Sequence, residues 1–288
     1  VKRVSLAKDS PDIKKQLSDA DCVLVNPFAF KMEKDSIDAA PKLKYVGVLA
    51  TAFAKVDTEH AKKKGVVVTN IPGYSTEAVA EFVFAALLES VRELERGKKQ
   101  AREGNYSEAG FSPIEISGKK FGVLGLGRIG SRVAELAMSF GANASYWSRN
   151  RKRELEKKGV KYEDADALIR GSDILSLHLA LAKGTERFLD RKRIQSLKSG
   201  AIVINMAPME LVDVDALDER LAKGDVTFIL DHSDEMAADD LKKLSRHANC
   251  VIYPPIAYVT KEARIAKQDI FVGNIENFLK GKPENTVN

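Results

Sequence analysis

The chain alternates short valine-rich apolar runs with amphipathic stretches of helical period, and the pattern begins twice. In the N-terminal part, "CVLVNPF", "YVGVLA" and "VVVTNIPG" read as strands, separated by a helix-like stretch up to Pro41 and a helix around "DTEHAKKKG" that Gly65 closes as a C-terminal cap. Strands spaced by helices of this length predict parallel βαβ units. Pro72-Gly73 keeps the chain extended, and "STEAVAEFVFAALLESVRELERGKKQ" then predicts one long helix capped by Ser75 or Thr76. Its first half is apolar on nearly every side and it is charged from Arg92 onward, so it is expected to cross between two domains. The polar stretch "EGNYSEAGFSPIEISG" reads as a linker.

From Gly118 the pattern resets. "KFGVLGL", "ASYWS", "DILSLHL", "AIVIN" and "VTFILD" read as strands with helices between them, which is enough for a second, doubly wound parallel sheet. A last helix, near 261–280, has apolar residues at Ala263, Ile265, Ala266, Ile270, Phe271 and Ile275, a spacing suited to packing back on the first domain.

Composition narrows the function classes. The 288 residues suit two domains, and 44% apolar with 30% charged residues marks a folded globule. Its 46 basic and 41 acidic residues are scattered, so the net charge of +5 builds no arm for nucleic acid. Two cysteines, Cys22 and Cys250, lack CxxC spacing, and the four histidines show no ligand spacing, so no metal site is expected. No apolar run reaches membrane-spanning length, and "VKRVSLAKDS" lacks a leader core. The expectation is a soluble cytoplasmic protein with no membrane or nucleic-acid partner.

"GLGRIG", Gly125 to Gly130, carries the first chemistry. A strand precedes it and an amphipathic helix follows, as a dinucleotide-binding turn requires. Gly125 allows the tight turn, Gly127 lets the backbone approach a pyrophosphate, and Gly130 lets helix and sheet pack closely. The next strand ends near residue 148, where an NAD site usually has a carboxylate for the ribose hydroxyls. Here stand Ser148, Arg149 and Asn150, followed by Arg151, Lys152 and Arg153. A hydroxyl beside a guanidinium suits a 2′-phosphate, so NADP(H) is favoured over NAD. Alternatively these cations form only a solvated helix start, though positive charge there opposes the helix dipole.

The order of segments resembles the D-isomer-specific 2-hydroxyacid dehydrogenases, the family of glycerate and phosphoglycerate dehydrogenases. "VVVTNIPGYSTEAVAEFVFAALL", "GKKFGVLGLGRIG", "SDILSLHLALAKGT", "LKSGAIVINMAPMELVDVDALDERLAKGDV" and "PPIAYVTKEA" follow the family's sequence of motifs. The resemblance implies an α/β protein with two doubly wound parallel-sheet domains. A Rossmann domain over 92–261 would bind NAD(P), and a smaller flavodoxin-like catalytic domain would comprise 1–91 and 262–288, usually in homodimers. Against the family's order the start is short by about one strand and helix, so the small domain is expected to be trimmed. Carry-over assigns backbone contacts with pyrophosphate to Arg128 and Ile129, the nicotinamide carboxamide to Asp231, and cofactor contacts to His178, Thr185 and Ala207. Thr51 and Ala52 fall in the loop that cradles a substrate carboxylate, with Ala52 in place of the family's glycine. Tyr74 and Tyr258 are phenolic donors or packing groups, and Lys261 and Arg264 are helix-surface cations.

The family's reaction passes a hydride between nicotinamide and a hydroxyl-bearing carbon, using an Arg, a Glu and a His. On these positions the chain has Pro208 (with Met209 after it), Met236 and Pro255. None of the three can carry charge or exchange a proton. Losing a general acid costs about 10²–10⁴ in rate, and losing an electrostatic donor costs about 10²–10³. The ordinary mechanism is therefore excluded. Glu235 is one residue from the Glu position, and His232 is the substitute base unless it is merely a loop histidine. If the strand ran past Asp231, alternation would send His232 to the opposite face. Two functions stand: an NAD(P)-binding oxidoreductase acting on a CH–OH or 2-oxo group of a small substrate with nonstandard residues, or a catalytically silent NADP(H)-binding sensor or partner-binding protein.

Overall fold

The computed structural model describes residues 13–27, 29–182 and 184–288, with the side chains of Lys14 and Glu235 outside that description. The opening "VKRVSLAKDS" and the proposed substitution by Glu235 therefore fall outside the described residues. Two compact units divide the chain, Val1–Ser75 with Thr260–Asn288 and Thr76–Val259. Both are parallel sheets with helices, the α/β class expected from the alternation. Among the described residues no helix is long and apolar enough to cross a membrane.

In the first unit, β1 (Cys22–Val25), β2 (Tyr45–Val48) and β3 (Val67–Thr69) lie parallel in that order. The central strand is buried along its whole length, which is why it reads as an unbroken apolar run. The helix Lys261–Leu279 belongs to this unit, with the Phe278 ring 4.7 Å from that of Tyr45. Of the positions expected to pack, Ile265 is half exposed. Phe271 does take part: a Cβ on Gly47 would come within 3.2 Å of its ring.

The C-terminal segment, which has no strand-like run, nevertheless pairs with β3. Val287 N–H donates to the Val68 carbonyl, and Thr286 bridges Thr69 in antiparallel sense. Asn274, buried within the helix, donates to the Asn70 carbonyl at 2.8 Å and accepts from the Asn285 side chain at 2.8 Å. Replacing Asn274 by Leu leaves both partners unpaired. The first unit should lose about 1–3 kcal/mol in urea unfolding; an unchanged midpoint would show that the amide is dispensable.

The second unit holds seven parallel strands: β4 (Lys120–Leu124), β5 (Asn143–Trp147), β6 (Lys161–Tyr162), β7 (Ile174–Leu177), β8 (Ala201–Asn205), β9 (Val226–Leu230) and β10 (Cys250–Ile252). Their order is β10-β9-β8-β7-β4-β5-β6. The chain runs outward from β4 to β6, then returns to β7 on the other side of β4. That reversal opens a crevice at the carboxyl ends of β4 and β7. Phe121, Tyr146 and Ile202 pack in the core on one side, and Leu168, Val203 and Phe228 in the core on the other.

The expected single long helix is two, Thr76–Val91 and Leu94–Arg102. They break at Glu93, whose backbone is left-handed (φ 52°) and whose carboxylate accepts from Arg96 and from the Ser112 N–H. Apolar burial stops at Val91, and the second helix buries no side chain, so no core surface holds the first helix straight.

Candidate functional site

Six strands of the larger sheet end on one line. Leu124 pairs with Trp147 and Leu177, Leu177 with Asn205, Asn205 with Leu230, and Leu230 with Ile252. Every residue of this unit nominated from sequence follows that line by one to eight positions. Backbone bonds carry the alignment past the last pairs. Gly125 N–H donates to the Trp147 carbonyl at 2.8 Å, His178 N–H to Leu124 at 2.7 Å, and Tyr253 N–H to Leu230 at 2.8 Å.

The glycine turn sits at the crevice. Gly125 has φ 93°, and a Cβ there would stand 2.6 Å from the His178 carbonyl oxygen. A Cβ on Gly130 would stand 2.0 Å from the Gly125 carbonyl oxygen, so helix and turn meet backbone to backbone. Gly127 differs. It is the N-cap of the helix Arg128–Ser139, exposed, with nothing within 4 Å of its Cβ position. No side chain caps this helix, which leaves its first N–H groups and the positive end of its dipole for an anion. Arg128 is exposed, while Ile129 packs against the core.

At the end of β5, Ser148 is buried and its hydroxyl donates to the Asn150 carbonyl at 2.6 Å. Of the cations that follow, Arg151 makes two bonds to Glu156, at 2.9 and 2.8 Å, and lies over the Tyr162 ring. Arg153 reaches the same carboxylate at 3.3 Å. Glu156 is held down to about 2 by Arg151 and by the Tyr146 hydroxyl. The helix therefore answers its own basic start, and these two arginines need no ligand to account for them. Arg149 is exposed and makes no ion pair among the described residues.

His178 accepts or donates with Ser176 at 2.8 Å, and dense surroundings push its imidazole down to about 3 by desolvation. Thr185 spends its hydroxyl locally, donating to the Ala180 carbonyl at 2.8 Å while accepting from Ala182 N–H at 2.8 Å. Ala207 is buried in a turn clamped by Asn205, whose side chain donates to the Ala207 carbonyl at 2.9 Å and accepts from its N–H at 3.2 Å. Asn205 was not nominated from sequence; the signal was a polar residue closing an otherwise apolar strand, "AIVIN".

Asp231 is almost wholly buried. One carboxylate oxygen accepts from Ala257 N–H at 3.2 Å, and the other, Oδ1, has no hydrogen-bond partner. Burial raises its pKa, opposed by the nearby imidazole. His232 does not point away as alternation would have it. The strand stops at Leu230, and the turn brings His232 Nε2 to 3.7 Å from Asp231 Oδ1. Pro208 begins a short 3₁₀ turn that buries Met209, Met236 packs partly buried against the core, and Pro255 lies two residues before Ala257.

Sequence comparison now bears on these features. The sequence model of the "D-isomer specific 2-hydroxyacid dehydrogenase, NAD binding domain" matches residues 84–257. The chain belongs to the D-isomer-specific 2-hydroxyacid dehydrogenases. A glyoxylate reductase of Aeropyrum pernix is 36% identical over 90% of this chain and 80% of its own length. An acyclic imino acid reductase solved with NADPH and D-Arg superposes with a TM-score of 0.86 at 30% identity, covering 96% of this chain and 88% of that one. D-Lactate dehydrogenase of Aquifex aeolicus, with NAD and lactic acid, gives 0.85 at 31% identity over 93% and 86%.

The 2-hydroxyacid dehydrogenase resemblance also nominated three residues in the first unit. Thr51 is exposed, its hydroxyl donating to the Ile71 carbonyl at 2.8 Å and its carbonyl accepting from the Asn70 side chain at 2.8 Å. Ala52 beside it is exposed. Tyr74 is half-buried with Lys267 Nζ 5.5 Å from its ring centre, and desolvation lowers the pKa of that lysine.

Two outcomes follow for the second unit. Gly130→Ala should cost at least about 1–3 kcal/mol in denaturant unfolding, because backbone has to move, whereas Gly127→Ala should leave stability unchanged. Equal stability of the two variants would contradict the close approach at Gly130. For His178, burial holds the folded pKa at about 3, below the ordinary 6.5 of an imidazole. The neutral imidazole therefore supports folding fully above 6.5, and that support is lost as pH falls toward 3. The stability difference between wild type and His178→Asn should move against the wild type between pH 7 and pH 4; a difference independent of pH would contradict a desolvated imidazole.

Proposed function

We propose that the chain is an NADP(H)-dependent reductase of this family, acting on a small unsaturated polar substrate at the carboxyl ends of β4, β7, β8 and β9. The observation that carries the cofactor part is the buried Asp231 Oδ1, which accepts no hydrogen bond among the described residues and has the His232 ring at 3.7 Å, on the same line of strand ends as the uncapped glycine turn. A buried acceptor with no hydrogen-bond donor costs free energy unless a ligand supplies one. A nicotinamide carboxamide has the N–H for it, and the pyrophosphate has the charge for the turn. Gly125, Gly127, Arg128, Ile129 and Gly130 would hold the phosphates. His178, Thr185 and Ala207 would shape the walls.

Ser148, Arg149 and Asn150 would receive the 2′-phosphate. The end of β5 has no acidic residue at 148–150 to repel one, and Arg149 is a cation with no ion-paired carboxylate among the described residues. When bound, the reduced nicotinamide supplies a hydride; the protein has to bind the acceptor and manage its charge. We further propose that Pro208, Met236 and Pro255 occupy the positions from which relatives supply Arg, Glu and His. By the family resemblance alone, Thr51, Ala52 and Tyr74 are proposed substrate-pocket residues of the first unit. Relatives named as reductases and dehydrogenases favour turnover over a silent sensor. The bond reduced is C=O in a glyoxylate reductase and C=N in an imino acid reductase, so either class is within the family's reach. A cytoplasmic homodimer is the proposed setting.

NADPH should raise the melting temperature of the purified chain more than NADH does. Arg149→Glu should weaken NADPH binding by about tenfold or more, as expected for losing a charged contact, with NADH little affected. Stabilisation by NADH alone would contradict the assignment at Ser148-Arg149.

A further inference from the structure

One inward position of the helix Lys261–Leu279 carries a charge where its neighbours on that face carry none. Residues 267, 271, 274 and 278 follow at intervals of three and four, so they share one stripe of the helix. Phe278 lies against Tyr45 at the start of β2, and Phe271 approaches Gly47 further along that strand. The helix therefore runs antiparallel to β2. At a rise of about 1.5 Å per residue, Lys267 stands about 6 Å beyond Phe271, toward the strand's carboxyl end. Two loops leave that end of the smaller sheet, 49–52 after β2 and 70–74 after β3, and they are laced together. Ile71 N–H donates to the Ala50 carbonyl at 3.1 Å, the Thr51 hydroxyl to the Ile71 carbonyl and the Asn70 side chain to the Thr51 carbonyl. Asn274 ties the helix to the same place through the Asn70 carbonyl. Lys267 meets the second loop, its Nζ 5.5 Å from the Tyr74 ring centre.

A lysine is a costly choice for that position. Lys261 and Arg264, six and three residues earlier on the same helix, are exposed, whereas Lys267 is half-buried and desolvation lowers its pKa. No carboxylate among the described residues pairs with it, and an aromatic face attracts a cation more weakly than an anion does. An apolar residue would continue the stripe without this cost. A partly desolvated ammonium without its counter-ion disfavours the empty protein, and an anionic ligand beside it removes the penalty.

Resting on the reductase reading above, with Thr51, Ala52 and Tyr74 as substrate-pocket residues, we infer that Lys267 is a substrate-binding residue whose ammonium holds the carboxylate of a small 2-oxo or 2-hydroxy acid. On that reading Pro208 supplies no cation from the larger unit, and the smaller unit supplies one from its own helix. A neutral carbonyl compound of the same size gains nothing from Lys267.

The test uses the full chain with NADPH and compares glyoxylate with glycolaldehyde, which carry a carboxylate and a hydroxymethyl group beside the same aldehyde. Lys267→Met should lower the ratio of kcat/KM for glyoxylate over glycolaldehyde by about tenfold or more, the scale of a lost charged hydrogen bond. Lys267→Arg, which keeps the charge, should retain most of the ratio. Lys261→Met and Arg264→Met remove the same charge from the exposed face and should leave the ratio unchanged. Oxalate gives a readout free of turnover: in the presence of NADPH or NADH it should raise the melting temperature of the wild type, and that of Lys267→Met much less. A ratio unchanged in Lys267→Met, equal losses for the two aldehydes, or equal falls in all three helix variants would overturn the inference and leave the reductase reading intact. So would oxalate that stabilises wild type and Lys267→Met alike, or neither. If no carbonyl compound is reduced, the reductase reading fails, and the oxalate comparison still decides the role of Lys267.

Discussion

Parallel register is the constraint on which the larger unit depends. Because β5, β4, β7, β8, β9 and β10 pair so that their last residues align, the first polar residues after six strands arrive at one edge of the sheet. Interiors of these strands are apolar and buried, so they have no alternative register that keeps both faces dry. Chemistry is confined to what comes next: a glycine turn after β4, a serine after β5, a histidine after β7, a proline-bearing turn after β8 and an aspartate after β9. Their closeness in space follows from the hydrogen-bond ladder rather than from any contact among the side chains themselves.

The glycine turn shows how tightly that edge is specified. Two backbone approaches, at Gly125 and Gly130, have no room for a Cβ, while Gly127 between them faces open space. The first two glycines are required by folding and the third is not, so Gly127 is the one whose presence a ligand explains. Asp231 tells a similar story with a charged group: one oxygen is satisfied by the chain and the other is not. A buried carboxylate in that condition is costly to the empty protein.

Much of this was legible in the sequence. The valine-rich runs marked the long strands, and "GLGRIG" between a strand and a helix marked the turn. Strands β6 and β10 went unread because two or three residues at a sheet's edge carry no period. The C-terminal pairing with β3 was invisible for the same reason: it is made by backbone and asparagine amides, not by an apolar pattern. Glu93 broke a helix that looked continuous, since propensity alone does not show where core contact ends. The basic run after Ser148 did not show by itself that Arg151 and Arg153 are already paired, because Glu156, which ties them down, lies a helical turn further along. The direction of His232 hung on where β9 ends: it stops at Leu230, and the turn sets the ring beside Asp231.

The central claim is that a single edge of the larger sheet holds a nicotinamide dinucleotide. Amide hydrogen exchange on the full chain, with and without NADPH, tests it most directly. The account predicts slowed exchange concentrated at residues 125–131, 148–150, 178–185 and 230–232, with little change elsewhere in that sheet. Protection centred instead on the opposite, amino-terminal ends of the strands, or no protection at saturating NADPH, would contradict it.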